Sequence, residues 1–173
     1  DGSKPVGYGI GPVEEARDIL AVLKNEEQCP KDLRERSLIL AAHLLDLENG
    51  NGIETNLDKA RLLLDSGQAL TQFSLIAEAQ GGLKSLPTAR YSHEELVPKD
   101  GVLNTIDNRK LSRLAKLAGA PSDIVAGLRL NVQVGQSVRE GDALFILYSE
   151  SSGERDYALD YYKNNPDIFT FGN

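Results

Sequence analysis

Apolar residues in the first half of the chain recur at helical spacing. Val13, Ala16, Leu20 and Leu23 predict a helix over 12–24. Pro12 suits its first position, where the missing N–H is not needed, and Glu14 and Glu15 complement the dipole of the first turn. "NEEQCPKD" breaks the pattern. Leu33, Leu40, Ala41, Leu44 and Leu47 then mark a second helix over 31–48. Leu38, Ile39 and Leu45 widen its apolar face, so the pattern predicts a well-buried helix. His43 lies within this run and reads as a buried, hydrogen-bonded structural side chain. After the turn residues "ENGNG", Asn56 is the expected cap of a short helix over 57–65, with Leu57, Ala60, Leu63 and Leu64 inward. A fourth helix is expected over 67–80, with Ala69, Phe73, Ile76 and Ala77 on its inner face and Gly81–Gly82 as its stop.

The period changes near "GGLKSLPTARY". Residues 90–97 and 102–106 read as strands joined by "PKDG". "NRKLSRLAKLAG" (108–119) is a helix with Asn108 as the expected cap. In 128–150 Leu130, Val132 and Val134 alternate, and 143–148 is apolar on both faces, as in a central strand. A helix over "SGERDYALDYYKN" and a strand at 167–171 close the chain, with Tyr157 and Tyr161 expected to pack. The predicted fold class is α+β: an N-terminal segment of four helices, then a C-terminal α+β domain. The boundary falls within 81–89, giving regions 1–84 and 85–173. The spacing of "VQVGQSVREGDAL" (132–144) is shared with biotin- and lipoyl-carrier sheets, so a carrier-like (hammerhead or barrel-sandwich) sheet is expected. No lysine lies between Lys116 and Lys163, which excludes a swinging-arm carrier.

Composition narrows the function classes. The net charge of −7 argues against nucleic acid or an anionic membrane as the main partner. No apolar run approaches the ~18–20 residues of a membrane span. Cys29 is the lone cysteine, so no intrachain disulfide can form, and a cytoplasmic location is expected. The absence of methionine is read as a processed chain or a piece of a longer one.

Few residues suggest chemistry. Gly7, Gly9 and Gly11 precede a helix start, the arrangement that can cradle an anion. Their spacing fits neither of the common phosphate-loop patterns and no strand precedes them, so a structural crossing loop is the default reading. His93 and Glu95 share one side of a strand, but no third ligand accompanies them, and an exposed polar strand is expected. "ENGNGIE" lacks the acidic ligands of a calcium loop. No metal site is assigned.

Three stretches carry a family resemblance. "DGSKPVGYGIGPVEEARDILAVL" resembles a segment near the middle of thymidine and pyrimidine-nucleoside phosphorylases. Its DGS-x-PVG-x-GIGP form is similar to the branch that contains AMP phosphorylase and its bacterial thymidine-phosphorylase-like relatives. "LDKARLLLDSGQALTQFSLIAEAQGG" resembles the family's EA-to-AQGG stretch, and "GVLNTIDNRKLSRLAKLAGAPSD" and "GQSVREGDALFILYSES" resemble its C-terminal domain.

The resemblance implies the C-terminal portion of a phosphorylase. The parent reaction would be reversible phosphorolysis of a pyrimidine nucleoside to free base and (deoxy)ribose 1-phosphate. An AMP phosphorylase parent, or a non-catalytic binding module, is the alternative. Inorganic phosphate would be a co-substrate, no cofactor is expected, and the parent would be a homodimer or higher homo-oligomer. The family's G-G-T-x-D signature and its phosphate- and base-binding residues lie before the segment matched here. No catalytic residue is therefore assigned, and the chain alone is expected to be inactive. The cleft-proximal candidates are Asp1, Ser3, Gly7, Gly9 and Gly11, and a hinge role is implied for residues 1–11.

Overall fold

A computed structural model describes residues 2–172. The chain divides into two compact units: one formed by the residues up to Arg17 together with those from Leu86 onward, the other by Asp18–Ser85.

The first unit contains two antiparallel sheets. In one, the order is β1 (Gly9–Ile10), β4 (Gly127–Leu130), β6 (Ala143–Ser149) and β2 (Tyr91–Leu96). In the other, β3 (Gly101–Ile106) lies between β5 (Ser137–Val138) and β7 (Phe169–Gly172). β6 is central and apolar on both faces: Leu144, Phe145 and Leu147 are fully buried. Helix α5 (Asn108–Leu117) turns Leu111, Leu114 and Ala115 into the same core, at the i, i+3, i+4 spacing of one helix face. Helix α6 (Ser152–Lys163) adds Ala158 and Leu159. Phe145 meets Tyr162 edge-on at 5.0 Å and stacks on Phe169 at 5.7 Å.

The second unit is helical. It holds α2 (Lys31–Asn49), α3 (Ile53–Asp65) and α4 (Gln68–Ala79), together with the last residues of α1 (Pro12–Leu23). Its core is small: Val22, Cys29, Leu38, Ala60 and Leu64. A polar knot ties α2 to α3. Gly50, at φ 63°, closes α2 by donating its N–H to the Asp46 carbonyl. Asn49 Nδ2 donates to Asn56 Oδ1 at 2.9 Å, and Asn56 Nδ2 donates to Asn49 Oδ1 at 3.0 Å.

Several expectations are corrected. The fold mixes helix and sheet, but it is not a helical segment followed by a carrier-like sheet. The glycine loop, read as a crossing loop, supplies a strand, β1, to the sheet of the later residues. The "REGD" turn does not join two strands of one carrier-like sheet: β5 pairs with β3, whereas β6 pairs with β2 and β4. Helix α2 is not well buried. Only Leu38 and Ala42 are buried on it, while Leu40, Leu44 and Leu47 are 59%, 68% and 86% exposed, and His43 is exposed as well. Asn56 is not a cap but a buried residue inside α3, because the helix begins earlier, at Ile53. Finally, Asp107 rather than Asn108 caps α5, and Tyr157 is exposed instead of packed.

Candidate functional site

The glycine loop is held tightly by backbone. Gly9 faces Arg129 and Ile10 faces Leu128 in the β1–β4 register, and the Leu130 N–H donates to the Tyr8 carbonyl at 2.8 Å. A side chain at Gly9 would run into the Glu14 backbone. Gly11 sits at φ 112°, and a Cβ there would fall 2.5 Å from the Ala126 carbonyl oxygen. Both positions therefore require glycine, the first for close approach and the second for its backbone conformation as well. The pairing ties residues 8–11 to β4.

Helix α1 starts directly after this loop. Gly11 N–H donates to Glu15 Oε1 at 3.1 Å, Glu15 N–H donates to the Gly11 carbonyl at 2.9 Å, and Val13 N–H donates to the Ile124 carbonyl at 3.1 Å. The Gly11 and Val13 N–H groups at this helix start are thus satisfied by the protein's own oxygens.

The first turn places the most buried charge of this unit. Glu14 is 4% exposed and accepts from two guanidinium groups: Arg17 Nε donates to Oε1 at 3.3 Å, and Arg129 Nη1 donates to Oε2 at 3.2 Å. The Arg129 guanidinium also lies over the Tyr8 ring, 5.6 Å from its centroid. A carboxylate this buried needs such partners, since an unpaired one would be strongly destabilising. These side chains border a cleft of about 370 Å³, together with Thr88, Ser92 and Tyr148. Burial, and after it the Glu14 charge, pushes the Tyr148 phenol up from its ordinary range. No histidine, cysteine or lysine lines the cleft. Its chemistry is that of a charged clamp joining the start of α1 to β4, with hydroxyls at its rim.

Gly7, Gly9 and Gly11 are buried in the loop, and Ser3 is exposed. Asp1 lies outside the described residues. Glu14 and Arg129 were not among the candidates. Glu14 had a visible signal, an acidic residue in a first turn, but that reads equally as a dipole partner, and nothing local links it to an arginine 115 residues away. His93 and Glu95 do share a side of β2, with Nε2 and Oε2 3.1 Å apart. Among the described residues no group of three or more His, Cys, Asp or Glu side chains could hold a metal ion, and no helix is long and apolar enough to cross a membrane.

Residues 102–169 match the model of the pyrimidine nucleoside phosphorylase C-terminal domain. This stretch runs from β3 through α5, β4, β6 and α6 to the first residue of β7. The chain belongs to the pyrimidine nucleoside phosphorylase family. Its match to named members extends through the helical unit and the glycine loop. A Legionella pneumophila (strain Corby) protein named "Putative thymidine phosphorylase" is 47% identical over 174 residues, covering 99% of this chain and 33% of that protein. Proteins of the same name from Hahella chejuensis and Ralstonia nicotianae are each 46% identical, over 96% and 97% of this chain and 33% of their own length. The chain spans about a third of the length of these curated relatives, and what it matches is the family's C-terminal portion.

Proposed function

We propose that this segment serves, within a family-length protein, a thymidine phosphorylase-type reaction. Inorganic phosphate attacks C1′ of a pyrimidine nucleoside. The C–N glycosidic bond breaks, and free base and (deoxy)ribose 1-phosphate are released. The observation that carries the reading is 47% identity, over nearly the whole chain, to a protein named for that activity. In this reading the segment's own part is structural. The buried Glu14–Arg129 pair and the close-packed glycines give the loop and the start of α1 one fixed position. Such fixed backbone is what the orientation of two reactants in a cleft formed elsewhere in the protein requires. The phosphate- and base-binding groups are supplied by the family's preceding motifs.

An AMP phosphorylase reaction is the second reading, favoured by the DGS-x-PVG-x-GIGP form of the loop. Assays of phosphate-dependent base release test both. This chain alone, offered thymidine, uridine or AMP with phosphate, is expected to release no base, and turnover by it would overturn the assignment of chemistry to the preceding motifs. A family-length protein carrying this segment is expected to turn over thymidine faster than AMP. The reverse order would establish the second reading, and release of base from neither would remove both.

A further inference from the structure

The helical unit leaves an apolar face of α2 without cover. Leu40, Leu44 and Leu47, all exposed, fall on one stripe, since spacings of 4 and 3 residues return to nearly the same side of a helix. Leu38 and Ala42 lie on another side and are the ones buried. A helix with apolar residues on more than one side is normally enclosed by its protein. Here enclosure stops at one side, and Leu47 is 86% exposed. Beside this stripe runs a groove of about 450 Å³ whose walls include Ile19, Leu23, Leu38, Leu44 and Leu63, with Ser37 the sole polar residue among those lining it. Leu62, Leu75 and Ile76, each at least half exposed, enlarge the apolar surface of α3 and α4. Scattered exposed leucines are ordinary, but a continuous groove with such a border marks an interaction surface.

We propose that this groove and leucine stripe form an internal interface of the family-length protein, occupied by an apolar face of the part of the family chain that this sequence does not match. Two facts select that occupant. The lining offers no charge and a single hydroxyl, so a nucleoside, a phosphate ester or a charged peptide would lose its hydration there without compensation. The curated relatives carry about twice as much further sequence, covalently joined to the matched third. A tethered segment meets the groove at a high effective concentration that a separate partner does not have. The inference rests on the family-length reading above but not on its chemistry.

The test uses Leu47→Cys and, as a reference, Asp58→Cys, whose side chain is 81% exposed on α3. Each is placed in this chain and in a chimera in which this chain replaces the matched third of the Legionella pneumophila (strain Corby) protein. Maleimide labelling of Leu47→Cys is expected to be at least about tenfold slower in the chimera than in the chain, with Asp58→Cys unchanged. Equal rates at Leu47→Cys overturn the proposal. So does slow labelling in the chain itself with a dimeric mass by light scattering, which would make a second copy the occupant. Should the chimera not fold, the native Legionella protein is compared by hydrogen exchange with this chain. Protection of the segment matching α2 only in the longer protein supports the interface, and identical exchange overturns it. Each readout is independent of phosphorolysis, so an inactive protein with a covered face and an active one with a bare face are separate outcomes.

Discussion

Gly9 stands directly opposite Arg129 in the β1–β4 register, and the arginine reaches from that position to the buried carboxylate of Glu14. The strand pairing and the ion pair therefore report on one another. Gly9→Ala drives a methyl group into the Glu14 backbone, and neither the strand nor the first turn of α1 can yield without breaking that pairing. The expected loss is about 3 kcal/mol of folding stability. Gly2→Ala, which meets nothing within 4 Å, is expected to stay within about 0.5 kcal/mol. Urea denaturation of the two variants checks this, and equal midpoints would refute the close-approach role of Gly9.

Removing one side of the ion pair leaves the other stranded. Glu14→Gln keeps the shape but leaves two guanidinium groups facing a neutral amide. The expected cost is about 2–3 kcal/mol, below the range for fully buried pairs because Arg129 is 26% exposed and Arg17 45%. Arg17→Ala alone is expected to cost under about 1 kcal/mol, since the arginine is partly solvated and Arg129 still holds the carboxylate. Thermal melts of both variants measure the ordering, and a larger loss for Arg17→Ala would place the principal contact on the wrong arginine.

Much of the fold was legible because its periodicities were long and clean. Helices expected at 12–24, 31–48 and 67–80 are found at Pro12–Leu23, Lys31–Asn49 and Gln68–Ala79, and the doubly apolar 143–148 stretch is the central strand β6. What failed depended on contacts remote in sequence. Gly9–Ile10 is too short to show alternation, and it becomes a strand only because Arg129 and Leu128 lie alongside. The Glu14 clamp was hidden for the same reason. The α2 error was different in kind. The pattern correctly marks Leu40, Leu44 and Leu47 as an apolar stripe, but a pattern of hydrophobicity does not state which neighbour covers it.

The cap of α5 tests a correction of one residue. Asp107 Oδ1 accepts from the N–H groups of Arg109 at 2.9 Å and Lys110 at 3.0 Å, while Asn108 is already helical and turns its amide to the Gly2 carbonyl. Asp107→Ala is expected to lose about 1 kcal/mol, by removing acceptors from two N–H groups that have no partner within the helix. Asp107→Asn, which keeps a side-chain acceptor, is expected to retain most of that stability. Chemical denaturation that finds the two variants equal would exclude capping as the role of Asp107.

The aromatic cluster gives the first unit an alkaline limit. Tyr162 packs edge-on to Phe145 at 5.0 Å and lies 6.3 Å from Phe169. Burial first, and the neighbouring Glu95 charge second, push its phenol up to about 12 from an ordinary value of 10.0. The folded protein therefore holds this proton more tightly than the unfolded chain. The resulting stabilisation is fully present below pH 10 and is lost as the pH rises through about 12. Absorbance titration at the phenolate band is expected to show a late step near the upper value, missing in Tyr162→Phe. Across the same interval the stability of Tyr162→Phe should fall less steeply with pH than that of the parent. Parallel stability curves for the two proteins would mean that the phenol is as well hydrated in the folded state as in the unfolded one, and that the ring pair at Phe145 does not shield it.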